Sequence, residues 1–326
     1  MSSTKKYSVS SVCNALMDII VDAEEKDIEH FGLTKGIMHL VTHEKQVELL
    51  EYLHGHEKAV ELGGSSMNAI RTLAQLGKNT VFAGMVSEDN FGDKIRTRLG
   101  ELKINYKLGV GEGGTGSCVI LVTPDGERTM NTCLGASRMY GGDIIPHEEI
   151  ADSEVFHFCG YQWDTAGQKE GIKAAMATAK KAGTKVSFDI ADPFVVELNK
   201  DDFANIISKN ADIVFANEKE AEILYGKSPE ETAEIIAKDG AIAVIKLGAK
   251  GALIRSGNDV FKIEPVKTDV KDTTAAGDMF AAGFLHGFTS GKSLDECGHI
   301  AASLASDVIS RYGATVSEDA IDKFKH

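Results

Sequence analysis

The alternation of strand-like and helix-like segments in the C-terminal half constrains the fold of this chain more than any other feature. Apolar, β-branched runs predict strands at residues 155–159, 185–190, 212–216 and 241–247, and helical patterns lie between them. Strands that alternate with helices form a mostly parallel sheet with helices on both faces. We therefore predict an α/β fold whose ligands bind at the carboxyl ends of the strands.

Composition limits the classes of partner. The chain has 326 residues, 43% of them hydrophobic, and a formal net charge of −14. This charge argues against nucleic acid or an anionic membrane as a partner. The five cysteines show no metal-binding spacing, the N-terminus shows no signal-peptide pattern, and no apolar run approaches the roughly 18 residues of a membrane span. We expect a cytoplasmic protein with reduced thiols that binds small molecules.

The loop at residues 272–278, with the sequence DTTAAGD, leads into an apolar helix. The first N–H groups of a helix are unpaired and carry a partial positive charge, so they suit an anion. Ala275, Ala276 and Gly277 are small enough for a phosphate to approach their backbone. Asp278 either stabilises the helix end or accepts a proton from a hydroxyl group as a general base.

The N-terminal half offers a second group of polar candidates. Asn14 and Asp18 follow a predicted strand at residues 7–13, where they either form a turn or point into a crevice. Further along the chain, the run Gly63-Gly64-Ser65 enters a helix whose first turn contains Asn68. A simple helix entry would also explain this run.

An Asp-Gly pair at residues 125–126 separates two strand-like runs and predicts a hairpin. Arg128, just after the turn, is either a solvated hairpin residue or part of a lid. The Asn217-x-x-Glu220 pattern suits Mg²⁺, which prefers oxygen ligands, but an acidic first helical turn explains it equally well. Gly248 and Gly251 follow a strand and are also typical of a β-turn.

Two of these segments resemble the signatures of the ribokinase-like (PfkB) family of sugar and nucleoside kinases. The first is the glycine pair with Asn68 and the run at residues 81–92, and the second is the loop at residues 272–278. The resemblance implies one ribokinase-like domain over residues 1–326, with a small β lid formed from about 15–45 and 105–135. It also implies ATP and Mg²⁺ as cofactors, with K⁺ as a further candidate, and a monomer or homodimer.

The resemblance assigns a role to each candidate residue. Asp278 is implied as the catalytic base, and Ala275, Ala276 and Gly277 as the anion hole for the transferring phosphoryl group. The acceptor site is implied at Asn14, Asp18, Gly63, Gly64, Ser65, Asn68 and Arg128. The nucleotide side is implied at Asn217, Glu220, Lys246, Gly248 and Gly251, with Glu220 supporting Mg²⁺ indirectly. The K⁺ site is implied at Asp272, Thr274, Gly313 and Ser317.

The family resemblance leaves the acceptor open. Asn14, Asp18 and Arg128 look like adenosine kinases, which favours transfer of the ATP γ-phosphoryl group to a primary hydroxyl of a nucleoside. The DTTAAGD loop looks like ribokinases, and Gln162 stands where human-type adenosine kinases have a second aromatic residue, so a ribokinase or other sugar kinase is the alternative. A non-catalytic nucleotide-binding regulator is an alternative of another class, against which the intact Asp278 argues.

Overall fold

The computed structural model describes residues 5–325. The strands in this range are β1 (Tyr7–Val12), β2 (Leu16–Asp22), β3 (Met38–Leu40), β4 (Glu57–Gly63), β5 (Thr80–Val86), β6 (Asn105–Val110), β7 (Gly116–Val122), β8 (Arg128–Cys133), β9 (Ser153–Cys159), β10 (Lys185–Asp189), β11 (Ile213–Asn217), β12 (Ile242–Lys246), β13 (Ala252–Ser256) and β14 (Asp259–Ile263). The α-helices are α1 (Glu25–His30), α2 (His43–Tyr52), α3 (Ser65–Gln75), α4 (Asn90–Glu101), α5 (His147–Ala151), α6 (Ala166–Ala182), α7 (Pro193–Lys209), α8 (Glu218–Tyr225), α9 (Pro229–Lys238), α10 (Ala276–Phe288), α11 (Leu294–Ile309) and α12 (Glu318–Phe324).

A nine-stranded sheet forms the body of the molecule, in the order β14-β13-β12-β11-β10-β9-β1-β5-β6. All pairs from β12 to β6 are parallel, and β13 and β14 continue the sheet in antiparallel pairs. One core packs α3, α10 and α11 on one face, and a second core packs α6, α7 and α9 on the other. The predicted α/β fold with a mostly parallel sheet and helices on both faces is confirmed.

A smaller five-stranded sheet has the order β3-β8-β7-β2-β4. Strands β7 and β8 form the predicted hairpin, whose turn is closed by a hydrogen bond from Gly126 N to the Thr123 carbonyl oxygen (2.8 Å). One face of this sheet is covered by α1 and α2, and the other carries Ile20, Cys118 and Ile120.

The expected boundaries of the small sheet need two corrections. Strand β4 belongs to it but lies outside both expected segments, whereas β6 pairs with β5 in the large sheet. The sequence does not predict β4, because its residues are mostly charged or half-exposed. β6 was assigned to the wrong sheet because strand pairing is set by non-local contacts, which a local pattern does not contain.

Two short connections lie where the small sheet meets the body of the molecule. Residues 13–15 link β1 to β2, and Gly64 links β4 to α3. Gly64 has a φ of +100°, and a Cβ there would lie 2.4 Å from the Asn14 carbonyl oxygen, so only glycine fits at this crossing.

The five cysteines are free, and four of them are buried, as expected for reduced thiols. No helix within residues 5–325 combines the length and the apolar character that a membrane crossing requires.

Candidate active site

A cleft of about 1340 Å³ lies between the small sheet and the carboxyl ends of the large one. It brings together most of the predicted residues from distant parts of the chain. Those that line it are Asn14, Asp18, Gly64, Ser65, Asn68, Arg128, Asn217, Glu220, Lys246, Gly248, Gly251, Thr274, Ala275, Ala276, Gly277 and Asp278. Four predicted residues do not line the cleft, namely Gly63, Asp272, Gly313 and Ser317.

Asp278 lies in the first turn of α10 and is held by two residues of α3. Its Oδ1 accepts a hydrogen bond from the Ser65 hydroxyl (2.7 Å), and its Oδ2 accepts one from Asn68 Nδ2 (2.9 Å). Burial raises the pKa of Asp278, although both hydrogen bonds oppose the shift. A fixed carboxylate with raised basicity can accept a proton from a hydroxyl group bound in the cleft.

The loop before α10 is shaped by a residue in the left-handed region. Ala275 has a φ of +55°, which is uncommon for a residue with a Cβ, and its carbonyl oxygen accepts the hydrogen bond from Met279 N (2.8 Å). A Cβ on Gly277 would lie 3.1 Å from Lys246 Nζ, so this ammonium sits close beside the helix end. The helix end and the Lys246 ammonium together form a positively charged binding site for an anion.

Lys246, which is partly buried, belongs to a charged group with the buried carboxylates of Glu220 and Asp189. Lys246 Nζ donates to Asp189 Oδ2 (2.9 Å). Burial disfavours the ammonium, but the charges of Asp189 and Glu220 outweigh it and raise the pKa of Lys246. Burial raises the pKa of Glu220 to about 7, while Lys246 opposes the shift. Sequence analysis assigns no function to Asp189, because a single acidic residue after a strand is common.

Glu220 and Asn217 fix one another at the start of α8. The Glu220 carboxylate accepts hydrogen bonds from Asn217 N (2.8 Å) and Asn217 Nδ2 (2.7 Å). Among residues 5–325, no group of three or more His, Cys, Asp or Glu side chains is arranged to hold a metal ion. Asn217 and Glu220 line the cleft and carry oxygen atoms, which fit a Mg²⁺ ion that is bound mainly through phosphates and water.

Asp18 marks the end of the cleft under the small sheet. Burial raises its pKa to about 7, and the charges of Asp278 and Glu61 add to this effect while Arg71 and Arg128 oppose it. Asn14 lies nearby, and its Oδ1 accepts a hydrogen bond from Gln168 Nε2 (2.8 Å). Gly63 packs so closely against Asp18 that a Cβ there would lie 2.1 Å from Asp18 Oδ1.

The wall at this end of the cleft is mostly apolar. Gln162 is buried and accepts a hydrogen bond from Cys159 N (2.9 Å), and Trp163 follows it. Sequence reasoning missed most of this wall, because isolated apolar residues carry no local signal. Its apolar members are Leu16, Met38, Leu40, Ile120, Met130, Leu134, Trp163, Phe194 and Leu198.

Asp272 is almost fully enclosed by donors. Its Oδ1 accepts from Thr274 N (2.8 Å) and contacts Arg128 Nε (2.6 Å), and its Oδ2 accepts from Gly313 N (2.8 Å). The structure thus brings three members of the predicted K⁺ site together. The hydroxyl of Ser317 is instead bonded to Asp307 (2.6 Å).

The opposite end of the cleft lies beside the loop at residues 248–251. Gly251 has a φ of +87°, and a Cβ there would lie 1.9 Å from the Ile263 carbonyl oxygen, so the tight turn requires glycine. Residues of α11 and of the segment after β14 complete this wall and were not identified from the sequence. They are Pro265, Val266, Val270, Ala302, Ala305 and Ile309.

The chain is similar to known kinases over nearly its whole length. The profile of the pfkB family carbohydrate kinases matches residues 26–321. A probable sugar kinase from Rhizobium etli CFN 42 superposes with a TM-score of 0.92 at 33% sequence identity, covering 98% of each chain. The adenosine kinase of Sinorhizobium meliloti superposes with a TM-score of 0.90, also at 33% identity and 98% of each chain. The adenosine kinase of Schizophyllum commune is 27% identical over 92% of this chain and 94% of its own.

Proposed function

This chain belongs to the pfkB family of carbohydrate kinases and is a phosphotransferase that acts on a hydroxyl group, and from this premise we propose that its acceptor is a nucleoside. The proposed reaction transfers the γ-phosphoryl group of ATP to a primary hydroxyl of the ribose. The apolar wall around Asp18 is the observation that carries this proposal. A nucleoside base would cover this wall, whereas a free sugar offers little apolar surface to it.

In the proposed reaction, the acceptor hydroxyl oxygen attacks the terminal phosphorus of ATP and its proton passes to the Asp278 carboxylate. The bond between phosphorus and the bridging oxygen breaks, and ADP leaves. Ser65 and Asn68 orient Asp278 through the hydrogen bonds described above. Charge on the phosphoryl oxygens is stabilised by the first N–H groups of α10 and by the Lys246 ammonium.

Acceptor and nucleotide are proposed to bind at opposite ends of the cleft. Asp18 accepts hydrogen bonds from ribose hydroxyls, and the Oδ1 of Asn68 has no partner within residues 5–325 and can accept another. ATP binds on the side of Gly248 and Gly251. The strands between residues 16 and 63 and between 116 and 133, which form the small sheet, act as the lid over the acceptor.

Mg²⁺ and K⁺ fit the side chains of their predicted sites to different degrees. Mg²⁺, held near Glu220 through water and by the phosphates, would supply neutralising charge on the β- and γ-phosphates. The side chains of the predicted K⁺ site fit K⁺ less well than Glu220 fits Mg²⁺. Asp272 already receives hydrogen bonds at both oxygens, and Arg128 provides its counter-charge. We therefore assign K⁺ no step in the reaction.

A sugar kinase is the second candidate, and the likeness to the probable sugar kinase of Rhizobium etli favours it. A non-catalytic regulator is disfavoured, because Asp278 is present and oriented by Ser65 and Asn68.

The deciding experiment is a panel of acceptors incubated with ATP and Mg²⁺. ADP release is measured with adenosine, inosine, ribose, fructose and fructose 6-phosphate, and each product is identified by mass spectrometry. We expect phosphorylation of a nucleoside with the highest kcat/KM. Preference for a free sugar would refute the nucleoside assignment, and ATP binding without any product would favour the regulator.

A further inference from the structure

Arg71 is a buried arginine outside the cleft lining, on the same face of α3 as Asn68, which precedes it by three residues. Only 4% of its surface is exposed. Such burial is unusual for an arginine unless the guanidinium has several partners. The proposed reaction as described above gives it no role.

The guanidinium joins two segments that are far apart in the chain. Its Nη2 donates to the Ala314 carbonyl oxygen (2.5 Å), and its Nη1 donates to the Leu62 carbonyl oxygen (3.4 Å). A second contact joins the same segments, because the Thr315 hydroxyl donates to Glu61 Oε2 (3.0 Å). The end of β4 is thus held against the loop that follows α11.

This connection reaches both halves of the proposed site. On one side, Leu62 precedes Gly63, against which the Asp18 carboxylate packs. On the other side, Ala314 follows Gly313, whose N–H group is bonded to Asp272 at the start of the anion-hole loop. A shift of Arg71 would therefore disturb the acceptor site through Gly63, whereas the loop before α10 is also held by Arg128 and Thr274 through Asp272.

Arg71 is also one of the two positive charges near Asp18. Asp18 faces Glu61 of β4, Asp278 of α10 and the Cys118 thiol of β7, and the positive charges near it are Arg71 of α3 and Arg128 of β8. Burial lowers the pKa of Arg71, yet Glu61 and Asp18 oppose the shift, and a guanidinium stays charged in proteins. Arg128 is already paired with Asp272.

We propose that Arg71 is a positioning residue of the acceptor site, which fixes the end of β4 against the loop after α11. This inference rests on the proposed function, because it assumes that Asp18 binds the acceptor. Arg71 touches neither substrate and acts through Asp18 and Gly63.

The kinetic test compares Arg71→Met and Arg71→Lys with the matched control Arg96→Met, whose arginine is paired with Asp93 on α4. KM values are measured for acceptor and for ATP. Arg71→Met should raise the acceptor KM about tenfold or more and leave the ATP KM nearly unchanged. Arg71→Lys should regain only part of the acceptor affinity. Equal rises in both KM values would overturn the proposal.

A second measurement does not depend on activity. Hydrogen–deuterium exchange should become faster in residues 61–66 and 312–317 together in Arg71→Met, and to a smaller extent in Arg71→Lys, but not in Arg96→Met. Unchanged exchange in either segment would refute the connection. If Arg71→Met fails to fold, the exchange data of Arg71→Lys decide. If the wild type phosphorylates no acceptor, the proposed function fails, and the exchange data still decide the connection.

Discussion

Replacing Gly63 by alanine tests the acceptor site with a single methyl group. In the structure a Cβ at this position would lie 2.1 Å from Asp18 Oδ1 and 2.3 Å from its Cγ, whereas ordinary contacts begin near 3.4 Å. The Asp18 carboxylate must therefore retreat by about 1 Å, which is enough to break a well-aligned hydrogen bond. Hydrogen bonds to charged groups contribute roughly 1.5–3 kcal/mol, so acceptor affinity should fall roughly ten- to a hundredfold.

Isothermal titration calorimetry with acceptor and, separately, with ATP measures this effect. ATP affinity should stay nearly unchanged, because Gly248 and Gly251 lie at the other end of the cleft. The matched control is Gly100→Ala in α4, where a Cβ would meet nothing within 4 Å, so both affinities should remain as in the wild type. If Gly63→Ala bound the acceptor as tightly as the wild type, Asp18 would not be the acceptor carboxylate. A loss of both affinities together would indicate general misfolding instead.

Three further predictions follow from the site. Asp278→Asn should lower kcat by roughly 10²–10⁴ with ATP binding nearly unchanged in calorimetry, and near-normal turnover would reduce Asp278 to a helix cap. Acceptor affinity should fall as the pH drops through about 7, because Asp18 is then protonated. In Asp18→Ala this pH dependence should disappear, and acceptor affinity should be about tenfold or more weaker than in the wild type at high pH. The wild type should turn over equally fast in K⁺ and Na⁺, whereas Arg128→Met should be faster in K⁺, because Asp272 then lacks its counter-charge. Equal rates of Arg128→Met in the two salts in steady-state assays would contradict this.

The sequence predicted those parts of the site whose residues are close together in the chain. The loop at residues 272–278 and the run from Gly63 to Asn68 each combine small residues, a helix start and a polar side chain. The same applies to β9, β10 and β11 of the parallel sheet, because each of them is an apolar run followed by a helix. These patterns result from local backbone and packing requirements, which a single sequence contains.

The parts that sequence reasoning missed depend on contacts between distant segments. Asp189 gains its setting from Lys246, and Arg71 from Leu62 and Ala314. Neither pairing leaves a pattern in the neighbouring residues. The pairing of Arg128 with Asp272 was missed for the same reason, because the two residues come from a hairpin and a helix entry that meet only in the folded chain.

The position of β1 inside the large sheet has a consequence for how the chain folds during synthesis. β1 precedes every other described strand in the chain, yet its neighbours are β5 and β9, and Tyr7 pairs with Ser153. At about 5–20 residues per second, a ribosome needs roughly 7–30 s to add the residues that separate these partners. Throughout that time one edge of this buried strand is unpaired, and unpaired strand edges are prone to aggregate. The body of the molecule can therefore assemble only after β9 has been synthesised.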